Sequence, residues 1–559
     1  MCQAPPFEDT EGWAEIVSVA GFGMNEGRIE ISRTPFQYIE HDSSQDQRLV
    51  WSGTQQGHTL EFMASSFHIE NFGCRAARAD GEAVASLLRA AGLSEGSPSE
   101  ADVVVVNTCS VTAEADREAR AFIRRANRLN PGARIVATGC YAQRAPQELA
   151  DLPGVAAVVG NSHKALAPEI AINLAISNGA LAPQGNLAPG ASIVSIQSLL
   201  ASNQPLILAD DAFAHSFLEE APVVPGTQTR PNLKIQEGCS NRCSFCVIPQ
   251  TRGSSRSLSS AAILRHVRSF VSAGGNELVL SGINLGRWGR DLDQLGESRL
   301  TLAALVHQIF GQTDLPRLRL SSIEPMDWDA DLIALMAEYG GTRLARHAHL
   351  PLQSGSDAVL RRMHRRYRPW HYAEKVSALF RAAGPDLTLG ADVMAGFPGE
   401  TENEFNETVE FIRSLPFGYL HLFPFSPRPG TRAWTLHAES PVPPEVVAER
   451  MATLRALAAE KTHAHRRSFI GAELDAITLH TPQAMAAANR TSALTENFLP
   501  IELAASIPAN RLIRISITGL SAEGTLFSRL ASSTNAYGFP PDLITPSHSR
   551  IERIPQTFV

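Results

Sequence analysis

The hydrophobic pattern of the chain is regular first between residues 66 and 166, where short apolar runs alternate with polar, amphipathic stretches. The apolar runs VVVVN (103–107), IVATGC (135–140) and VAAVVG (155–160) are typical of buried parallel strands. An arginine-rich amphipathic helix is predicted over 113–130. This alternation predicts a small α/β domain.

The middle of the chain repeats a strand followed by a helix six times. The predicted strands are LKIQEG (233–238), ELVLSG (277–282), RLRLSS (317–322), HAHLPLQ (347–353), LTLGADVMAG (387–396) and YLHLFPFS (419–426). Such βα units predict a parallel sheet that curls into a partial (β/α)6 barrel. The chemistry of such a barrel is expected at the C-terminal ends of its strands.

Beyond a long helix predicted near 443–467, the alternating runs LDAITL (474–479) and RLIRISIT (511–518) predict a small β-barrel. The whole chain is therefore of the α/β class with a β-barrel at its C-terminal end. The predicted segments are a leader at 1–64, an α/β domain at 65–166, a linker or insertion at 167–229, the partial barrel at 230–465, the small barrel at 466–530 and a loose tail at 531–559. The leader shows no periodicity, and we expect it to be disordered or to follow from a start codon assigned too early, since Met63 directly precedes the first regular segment.

Composition narrows the class of protein. At 559 residues, with 44% hydrophobic and 19% charged residues, the chain is typical of a globular protein of about two to four domains. The chain contains no apolar run of about 18 residues, and it starts without the features of a signal peptide. We therefore expect a cytoplasmic protein with reduced thiols and no membrane partner. The net charge of −8 argues against a general nucleic-acid coat but permits a local basic surface.

Three of the seven cysteines form a C-x₃-C-x₂-C array, Cys239, Cys243 and Cys246, on the loop after the first barrel strand. Thiolates bind soft metals and iron–sulfur clusters. Zinc sites usually have four ligands, and no fourth cysteine or histidine lies nearby in the sequence. Three ligands on a four-iron cluster leave one iron open to another molecule. A zinc site and three ordinary buried cysteines are the alternatives.

The other three candidate cysteines, Cys74, Cys109 and Cys140, each follow a strand-like run of the N-terminal domain. Because neighbouring parallel strands end at the same edge of a sheet, these residues are predicted to converge on a second three-thiolate site. Each one taken alone is better explained as a small core residue. Their shared topological position favours the metal site.

The cysteine array, with Phe245 before its last cysteine, resembles the radical S-adenosylmethionine (SAM) superfamily. Together with the N-terminal cysteines, the chain resembles the radical SAM methylthiotransferase family from about residue 66 to 530, interrupted at 167–229. The shared motifs are IQEGCSNRCSFCVIPQTRGSSRS (235–257), LVLSGINLGRWGRD (278–291), LRLSSIEP (318–325), HLPLQSGSDAVLRRMHRRY (349–367), DVMAGFPGET (392–401) and FSPRPGTRAW (425–434).

This resemblance implies two [4Fe-4S] clusters and SAM as cofactors. It implies that Cys239, Cys243 and Cys246 hold the cluster that cleaves SAM to a 5′-deoxyadenosyl radical. It likewise implies that Cys74, Cys109 and Cys140 hold a second cluster that handles the transferred sulfur, and that the small barrel is an RNA-binding TRAM-like domain. The SAM contacts it implies are Ser321, Glu324, Gln353, Ser354, Asp392, Gly396, Pro398 and Gly399.

The stretch NTCSVT around Cys109 resembles the branch that acts on N6-threonylcarbamoyladenosine at position 37 of tRNA, in the anticodon stem-loop. Branches acting on isopentenyladenosine in tRNA or on an aspartate of a ribosomal protein are alternatives. A non-enzymatic, zinc-containing RNA-binding protein is an alternative from another class. The resemblance also implies an external electron donor such as flavodoxin or ferredoxin, and it leaves the sulfur donor unassigned.

The chain departs from the family pattern at one position, where Ala77 replaces the asparagine common three residues after the first cysteine. This loss of an amide weakens the prediction of the substrate more than that of the chemistry. Two basic segments are candidates for RNA contacts. They are RRMHRRYR (361–368) and the arginines of the first long helix, Arg117, Arg120, Arg124, Arg125 and Arg128.

Overall fold

The computed structural model describes residues 65–177, 204–213, 223 and 229–531, and its N-terminal part is built on a six-stranded parallel sheet. The strands are β1 (Ser66–Asn71), β2 (Ser94–Glu95), β3 (Val103–Thr108), β4 (Arg134–Gly139), β5 (Val155–Gly160) and β6 (Leu206–Leu208). They are ordered β2-β1-β3-β4-β5-β6. The predicted leader at 1–64 and the tail after residue 531 lie outside the described residues.

Helices cover both faces of this sheet, which explains why its central strands are apolar at successive positions. The helices are α1 (Arg75–Ala90), α2 (Ala113–Leu129), α3 (Cys140–Arg144), α4 (Pro146–Ala150) and α5 (Ala167–Ser177). In β3, Val103 and Val105 pack with α1 and α5, whereas Val104 and Val106 pack with α2. Helix α5 and strand β6 fall inside the segment predicted as a linker, so part of that segment completes the sheet.

All six strands predicted for the central region are present, and the fold class is confirmed. The strands are β7 (Asn232–Glu237), β8 (Arg256–Ser257), β9 (Glu277–Gly282), β10 (Arg317–Leu320), β11 (His347–His349), β12 (Thr388–Ala395) and β13 (Phe417–Pro424). The short strand β8, antiparallel to β7, was not predicted. Parallel bridges between Leu318 and Leu344 and between Ser322 and His349 join the β7-β9-β10 sheet to the β11-β12-β13 sheet, and the result is a curled, open barrel.

The helices of this region pack around the outside of the curled sheet and share one large apolar core with it. They are α6 (Ile248–Arg252), α7 (Ser260–Ser272), α8 (Leu302–Gln312), α9 (Ala330–Tyr339), α10 (Asp357–Arg362), α11 (Pro369–Ala383), α12 (Glu402–Ser414), α13 (Arg432–Glu439) and α14 (Pro444–Arg467). Among the described helices, none combines the length and the apolar character needed to cross a membrane.

The C-terminal part is a closed β-barrel, as the alternating runs predict. Its elements are β14 (Glu473–Thr478), α15 (Gln483–Ala487), β15 (Thr491–Thr495), β16 (Pro500–Leu503), β17 (Leu512–Leu520) and β18 (Leu526–Leu530). In β17, Ile513, Ile515 and Ile517 point into the barrel, since alternate residues of a strand face the same side.

The turn between β15 and β16 docks the small barrel onto the N-terminal end of the larger one. Phe498, in a left-handed conformation with φ of 73°, has its ring centre 4.4 Å from that of His347 and 5.5 Å from that of Tyr419. The Arg319 guanidinium lies 5.3 Å from the same ring centre and donates to the Thr495 carbonyl at 3.2 Å. One aromatic side chain therefore connects the two barrels.

We predict that Phe498→Ala lowers the free energy of unfolding by about 2–4 kcal/mol, because the aromatic contacts across the barrel junction are lost. Phe527→Ala is the matched control, since Phe527 is also half-buried on the small barrel but, among the described residues, stacks with Arg490 of the same barrel and with no residue of the larger one. Urea denaturation measures both. Equal losses would show that the junction contributes nothing through Phe498.

Candidate active site

The loop that follows β7 carries Cys239, Cys243 and Cys246, all half-buried, around one surface cavity of about 480 Å³. The other residues lining this cavity are Ser240, Asn241, Arg242, Ser244, Pro249, Gln250, Ser254, His364, Gly430, Thr431 and Arg432. The loop leaves the C-terminal end of the first barrel strand, which is the end where barrel enzymes place their reactive groups. The spacing in the sequence therefore corresponds to a real cluster of thiols in space.

Glycine is required where this loop begins. Gly238 has φ of 67°, and a Cβ atom placed on it would lie 2.0 Å from the backbone oxygen of Ser254. The turn brings the next amide, that of Cys239, within 3.0 Å of the Gly253 carbonyl. The backbone of 253–254 thus holds the first cysteine of the array in place.

Nitrogen–hydrogen groups point at two of these sulfurs. The Asn241 backbone and the Asn284 side chain donate to Cys239 Sγ at 3.4 and 3.5 Å. Arg365 Nη1 donates to Cys243 Sγ at 3.3 Å. Burial raises the pKa of Cys246 to about 12, and its two neighbouring thiols act in the same direction. A bound metal must therefore displace protons here, and the donors stabilise the thiolates that result.

Cys74, Cys109 and Cys140 lie at the ends of three adjacent strands, β1, β3 and β4. Cys74 precedes α1 and is exposed, whereas Cys109 and Cys140 are buried. The backbone comes so close that a Cβ atom on Gly73 would lie 2.6 Å from Cys109 Sγ. Burial raises the pKa of Cys109 to about 12, and Cys140 and Cys74 raise it further. The structure therefore brings these three distant cysteines together.

One thiol of the loop and the segment that follows Cys109 border the same space between the N-terminal sheet and the curled barrel. A second cavity, of about 260 Å³, is lined by Cys246 of the loop and by Val111 and Thr112, which closely follow Cys109. The rest of its wall consists of Phe245, Val247, Ile248, Gln353, Asp392, Met394, Phe423, Pro424, Phe425 and Ser426. A mostly apolar cavity with few polar groups is typical of a small-molecule site.

Two of the predicted SAM contacts, Gln353 and Asp392, lie in this second cavity. Gln353 has a left-handed backbone, with φ of 63°, and its buried Oε1 accepts no hydrogen bond within the described part of the chain. Asp392 accepts from His349 Nε2 at 3.2 Å and from His421 Nδ1 at 3.3 Å. Burial alone raises the pKa of Asp392, but these two histidines hold it well below its usual range.

Glu324 is paired with Arg365, the same arginine that donates to Cys243. Glu324, one of the predicted SAM contacts, is therefore connected to the thiol loop through the Arg365 guanidinium. Ser321 is buried at the end of β10, and its backbone amide donates to the Leu280 carbonyl at 3.0 Å.

The remaining predicted contacts have their polar groups engaged within the protein. The Ser354 hydroxyl is buried and lies 2.9 Å from that of Thr408. In the turn after β12, the Gly396 amide donates to Glu400 at 2.8 Å and the Gly399 amide donates to the Ser440 carbonyl at 2.9 Å. Pro398, between them, has no amide hydrogen. This turn anchors α12 and α14.

The structure removes two residues of the predicted RNA-binding stretch 361–368, whereas Arg361, His364 and Arg366 of the same stretch are exposed. Arg365 and Tyr367 are only 7% and 0% exposed, so neither contacts a nucleic acid from this position. Arg362 is bound to Glu404 at 2.7 Å. On α2, by contrast, Arg124 and Arg128 are exposed. Sequence reasoning missed Arg365 as a thiol partner because a run of arginines looks the same whether it faces the protein or the solvent.

The residues present fit iron–sulfur clusters better than single metal ions. Within the described part of the chain, one group of three His, Cys, Asp or Glu side chains brings its ligand atoms within 4.8 Å of one another, and it is His349, Asp392 and His421 rather than either cysteine set. Four thiolates on one zinc lie about 3.8 Å apart, given Zn–S bonds of about 2.3 Å. Three thiols spread more widely suit a cluster several atoms across. Each set supplies three cysteines.

Two known sequence families match the chain: Uncharacterized protein family UPF0004 over residues 66–160 and the Radical SAM superfamily over residues 233–412. The chain is 33% identical to the threonylcarbamoyladenosine tRNA methylthiotransferase MtaB of Bacillus subtilis, covering 78% of this chain and 89% of that protein. It is 34% identical to the protein of the same name from Aquifex aeolicus, covering 75% and 91%. It is also 34% identical to the tRNA-2-methylthio-N(6)-dimethylallyladenosine synthase of Geobacter metallireducens, covering 72% and 85%.

We predict that Gly238→Ala halves the iron bound after anaerobic reconstitution, from about eight to about four per chain, because the added methyl displaces the loop that carries three of the ligands. The control is Gly274→Ala, at a similar φ of 79° but with nothing within 4 Å of the added atom. Both variants place an alanine in a left-handed conformation, which has a similar energetic cost in each. The difference in iron content between them therefore reports the clash of the added methyl at position 238 with the Ser254 backbone. Full iron content in Gly238→Ala would contradict this account of the loop.

Proposed function

Because the chain belongs to the radical SAM methylthiotransferase family, we propose that it adds a methylthio group to C2 of N6-threonylcarbamoyladenosine at position 37 of tRNA. The observation that carries the proposal is one cavity lined both by Cys246 of the thiol loop and by Val111 and Thr112, the residues that closely follow Cys109. A reaction that takes sulfur from one site and a radical from another requires both sites next to one substrate. The match to the tRNA-modifying relatives over about three quarters of the chain supports it.

In this proposal, Cys239, Cys243 and Cys246 hold one [4Fe-4S] cluster, and Cys74, Cys109 and Cys140 hold the other. When bound, the first supplies the electron that cleaves SAM, and the second supplies the sulfur. The chain's own residues bind and orient SAM and the nucleoside. Gln353 Oε1 and the Asp392 carboxylate are hydrogen-bond acceptors in the second cavity, suited to amino and hydroxyl groups of SAM or of the nucleoside. The apolar wall around Phe245 and Phe423 keeps water from the reacting atoms.

Arg75 supports threonylcarbamoyladenosine over dimethylallyladenosine as the substrate. The threonylcarbamoyl group carries a carboxylate, whereas the dimethylallyl group is a hydrocarbon. Arg75 directly follows Cys74, is half-buried, and forms no ion pair with a carboxylate among the described residues. Its guanidinium lies 5.5 Å from the Phe498 ring centre, and burial lowers its pKa. A guanidinium on the residue after Cys74 that forms no ion pair among the described residues is suited to receive a substrate carboxylate.

We further propose that the tRNA binds through its anticodon stem-loop, that an external protein such as flavodoxin or ferredoxin supplies electrons, and that the enzyme works in the cytoplasm. The exposed arginines of α2 offer phosphate contacts. At the rim of the thiol cavity, Arg432 lies two residues before Trp434, whose side chain is 46% exposed. An exposed indole near the cavity rim is suited to stack on a flipped or single-stranded base.

We predict that a strain lacking this protein accumulates N6-threonylcarbamoyladenosine without its 2-methylthio derivative, as measured by mass spectrometry of tRNA nucleosides. Complementation with the full chain restores the derivative, and complementation with Cys109→Ala or Cys243→Ala does not. In vitro, Cys109→Ala still forms 5′-deoxyadenosine from SAM and keeps about four iron per chain. Cys243→Ala forms no 5′-deoxyadenosine.

The control is Cys2→Ala, which removes the one cysteine outside both sets and should behave as the unmodified chain. Normal methylthiolation by Cys109→Ala would show that the N-terminal cysteines are structural. If the strain lacking this protein instead loses the methylthio derivative of isopentenyladenosine, the substrate is that of the other tRNA-modifying branch. About two zinc per chain, without iron, would favour the zinc-containing RNA-binding alternative.

We predict that Arg75→Gln weakens binding of a stem-loop RNA carrying N6-threonylcarbamoyladenosine about tenfold, which is the loss of one charge-assisted hydrogen bond. Binding of the same RNA with unmodified adenosine should be unchanged, because no carboxylate is involved. Arg78→Gln, on the exposed side of the same helix, is the control. Fluorescence anisotropy measures both RNAs. An equal loss for both RNAs would assign Arg75 to the phosphate backbone instead.

A further inference from the structure

Five charged side chains are buried where the N-terminal domain meets the curled barrel, beside Cys140. Asp80 on α1 and Lys164 after β5 come from the N-terminal domain. Lys234 and Glu237 on β7 and Arg252 at the end of α6 come from the barrel. The exposed fraction of each side chain is 7% or less. The group is therefore sealed from water in the junction.

Each cation of this group contacts both carboxylates. Lys164 Nζ lies 2.6 Å from Asp80 Oδ2 and 3.4 Å from Glu237 Oε2. Arg252 Nη1 lies 3.1 Å from Asp80 Oδ2 and 2.6 Å from Glu237 Oε1. Lys234 contacts the same two residues. Three cations share these two carboxylates, and buried cations are costly unless acceptors satisfy their donors.

Arg252 has a further acceptor, the sulfur of Cys140. Arg252 Nε donates to Cys140 Sγ at 3.1 Å, and Asn161 Nδ2 approaches the same sulfur at 3.5 Å. Arg252 Nη2 is also buried, and it has no partner within the described part of the chain. Asn161 is itself held by the carbonyl of Thr251, the residue next to Arg252. Arg252 of the barrel thus contacts the Cys140 thiol of the N-terminal domain directly. The Thr251 carbonyl, also from the barrel, holds Asn161, which contacts the same thiol.

We propose that Arg252 is a positioning residue for the N-terminal cluster: it brings from the barrel the hydrogen bond and the positive charge that hold the Cys140 thiolate, and it thereby raises the reduction potential of that cluster. This inference rests on the proposed function, which places a cluster at these cysteines. A hydrogen bond and a cation at a ligating sulfur favour the more negative, reduced form. The same short helix α6 begins two residues after Cys246, so one element serves both cysteine sets.

The test uses the full chain with Cys243→Ala, in which the N-terminal cluster is the one that remains. Arg252→Gln in this background should retain about four iron, and its cluster should be harder to reduce. At a fixed applied potential, the ratio of reduced to oxidised cluster is expected to fall about tenfold, equivalent to about 59 mV for one electron. A redox titration with dithionite, followed by electron paramagnetic resonance, measures this ratio.

The matched control is Arg428→Gln. Arg428 is another buried arginine that crosses the junction, since its Nη1 lies 2.7 Å from Asp116 Oδ2, but among the described residues it bonds to no sulfur. Its replacement should leave the potential unchanged. Asn161→Ala should shift the potential in the same direction as Arg252→Gln but by less, because a weaker donor to the same sulfur is removed.

An unchanged potential in Arg252→Gln, or an equal shift in Arg428→Gln, would overturn the proposal. If Arg252→Gln fails to fold or to take up iron, Arg252→Lys and Asn161→Ala decide, and unchanged potentials in both would likewise overturn it. The proposed function fails differently: a Cys243→Ala chain with Arg252 intact that binds no cluster at all would show that the N-terminal cysteines hold none.

Discussion

The structure depends on one geometric constraint, which is that every strand of a parallel sheet ends at the same edge. Among the described residues, the N-terminal sheet and the parallel strands of the curled barrel both follow this rule, and both carry cysteines on the loops that leave this edge. Cysteines 31 to 66 residues apart, such as Cys74, Cys109 and Cys140, can converge only because β1, β3 and β4 are neighbours. The curled shape of the second sheet then brings its own thiol loop beside the N-terminal domain, with a mostly apolar cavity close to both.

The junction that holds these two edges together is unusually polar. Asp116 of α2 accepts from Arg428 at 2.7 Å and from Arg144 at 3.0 Å, and the five-charge group around Glu237 lies in the same junction. Buried ion pairs contribute little net stability compared with apolar packing, but removing one partner costs about 3–5 kcal/mol. Here these ion pairs determine how the N-terminal domain is placed on the curled barrel, because a shift of one against the other would leave buried charges without partners. The relative position of the thiol sets is thereby determined more strictly than an apolar junction would determine it.

Hydrogen bonds to the cysteine sulfurs also come from distant parts of the chain. Arg365 donates to Cys243, Asn284 to Cys239 and Arg252 to Cys140, so each set receives N–H donors from elements distant in sequence. Hydrogen bonds to ligating sulfurs are one of the means by which proteins set the potential of a cluster. Arg365 also binds Glu324, which lies after β10. The environment of the thiols is therefore assembled by the whole curled sheet rather than by the cysteine loop alone.

Local patterns in the sequence were sufficient for much of the fold. The six barrel strands are where the apolar runs predict them, because burial on both faces leaves a continuous apolar signal that needs no knowledge of neighbours. The short strand β8 and the strand β6 were missed, since two or three residues carry too little periodicity to be distinguished from a loop. The grouping of three thiols on one loop was also predictable, because three cysteines with fixed spacing are a local feature.

Tertiary structure alone decided which polar residues face the chemistry. The segment 361–368 is a basic run by composition, yet its Arg365 turns inward to a carboxylate and a thiol, while arginines of α2 with the same composition remain exposed. Gln353 and Asp392 reach the cavity, whereas Ser354, one residue from Gln353, bonds to Thr408 instead. Arg252 meets Cys140 across 112 residues of sequence. The physical reason is common to all three cases: the sequence by itself determined which elements form, through periodicity within a few residues, whereas the direction of a side chain and its partner depend on how separate elements pack.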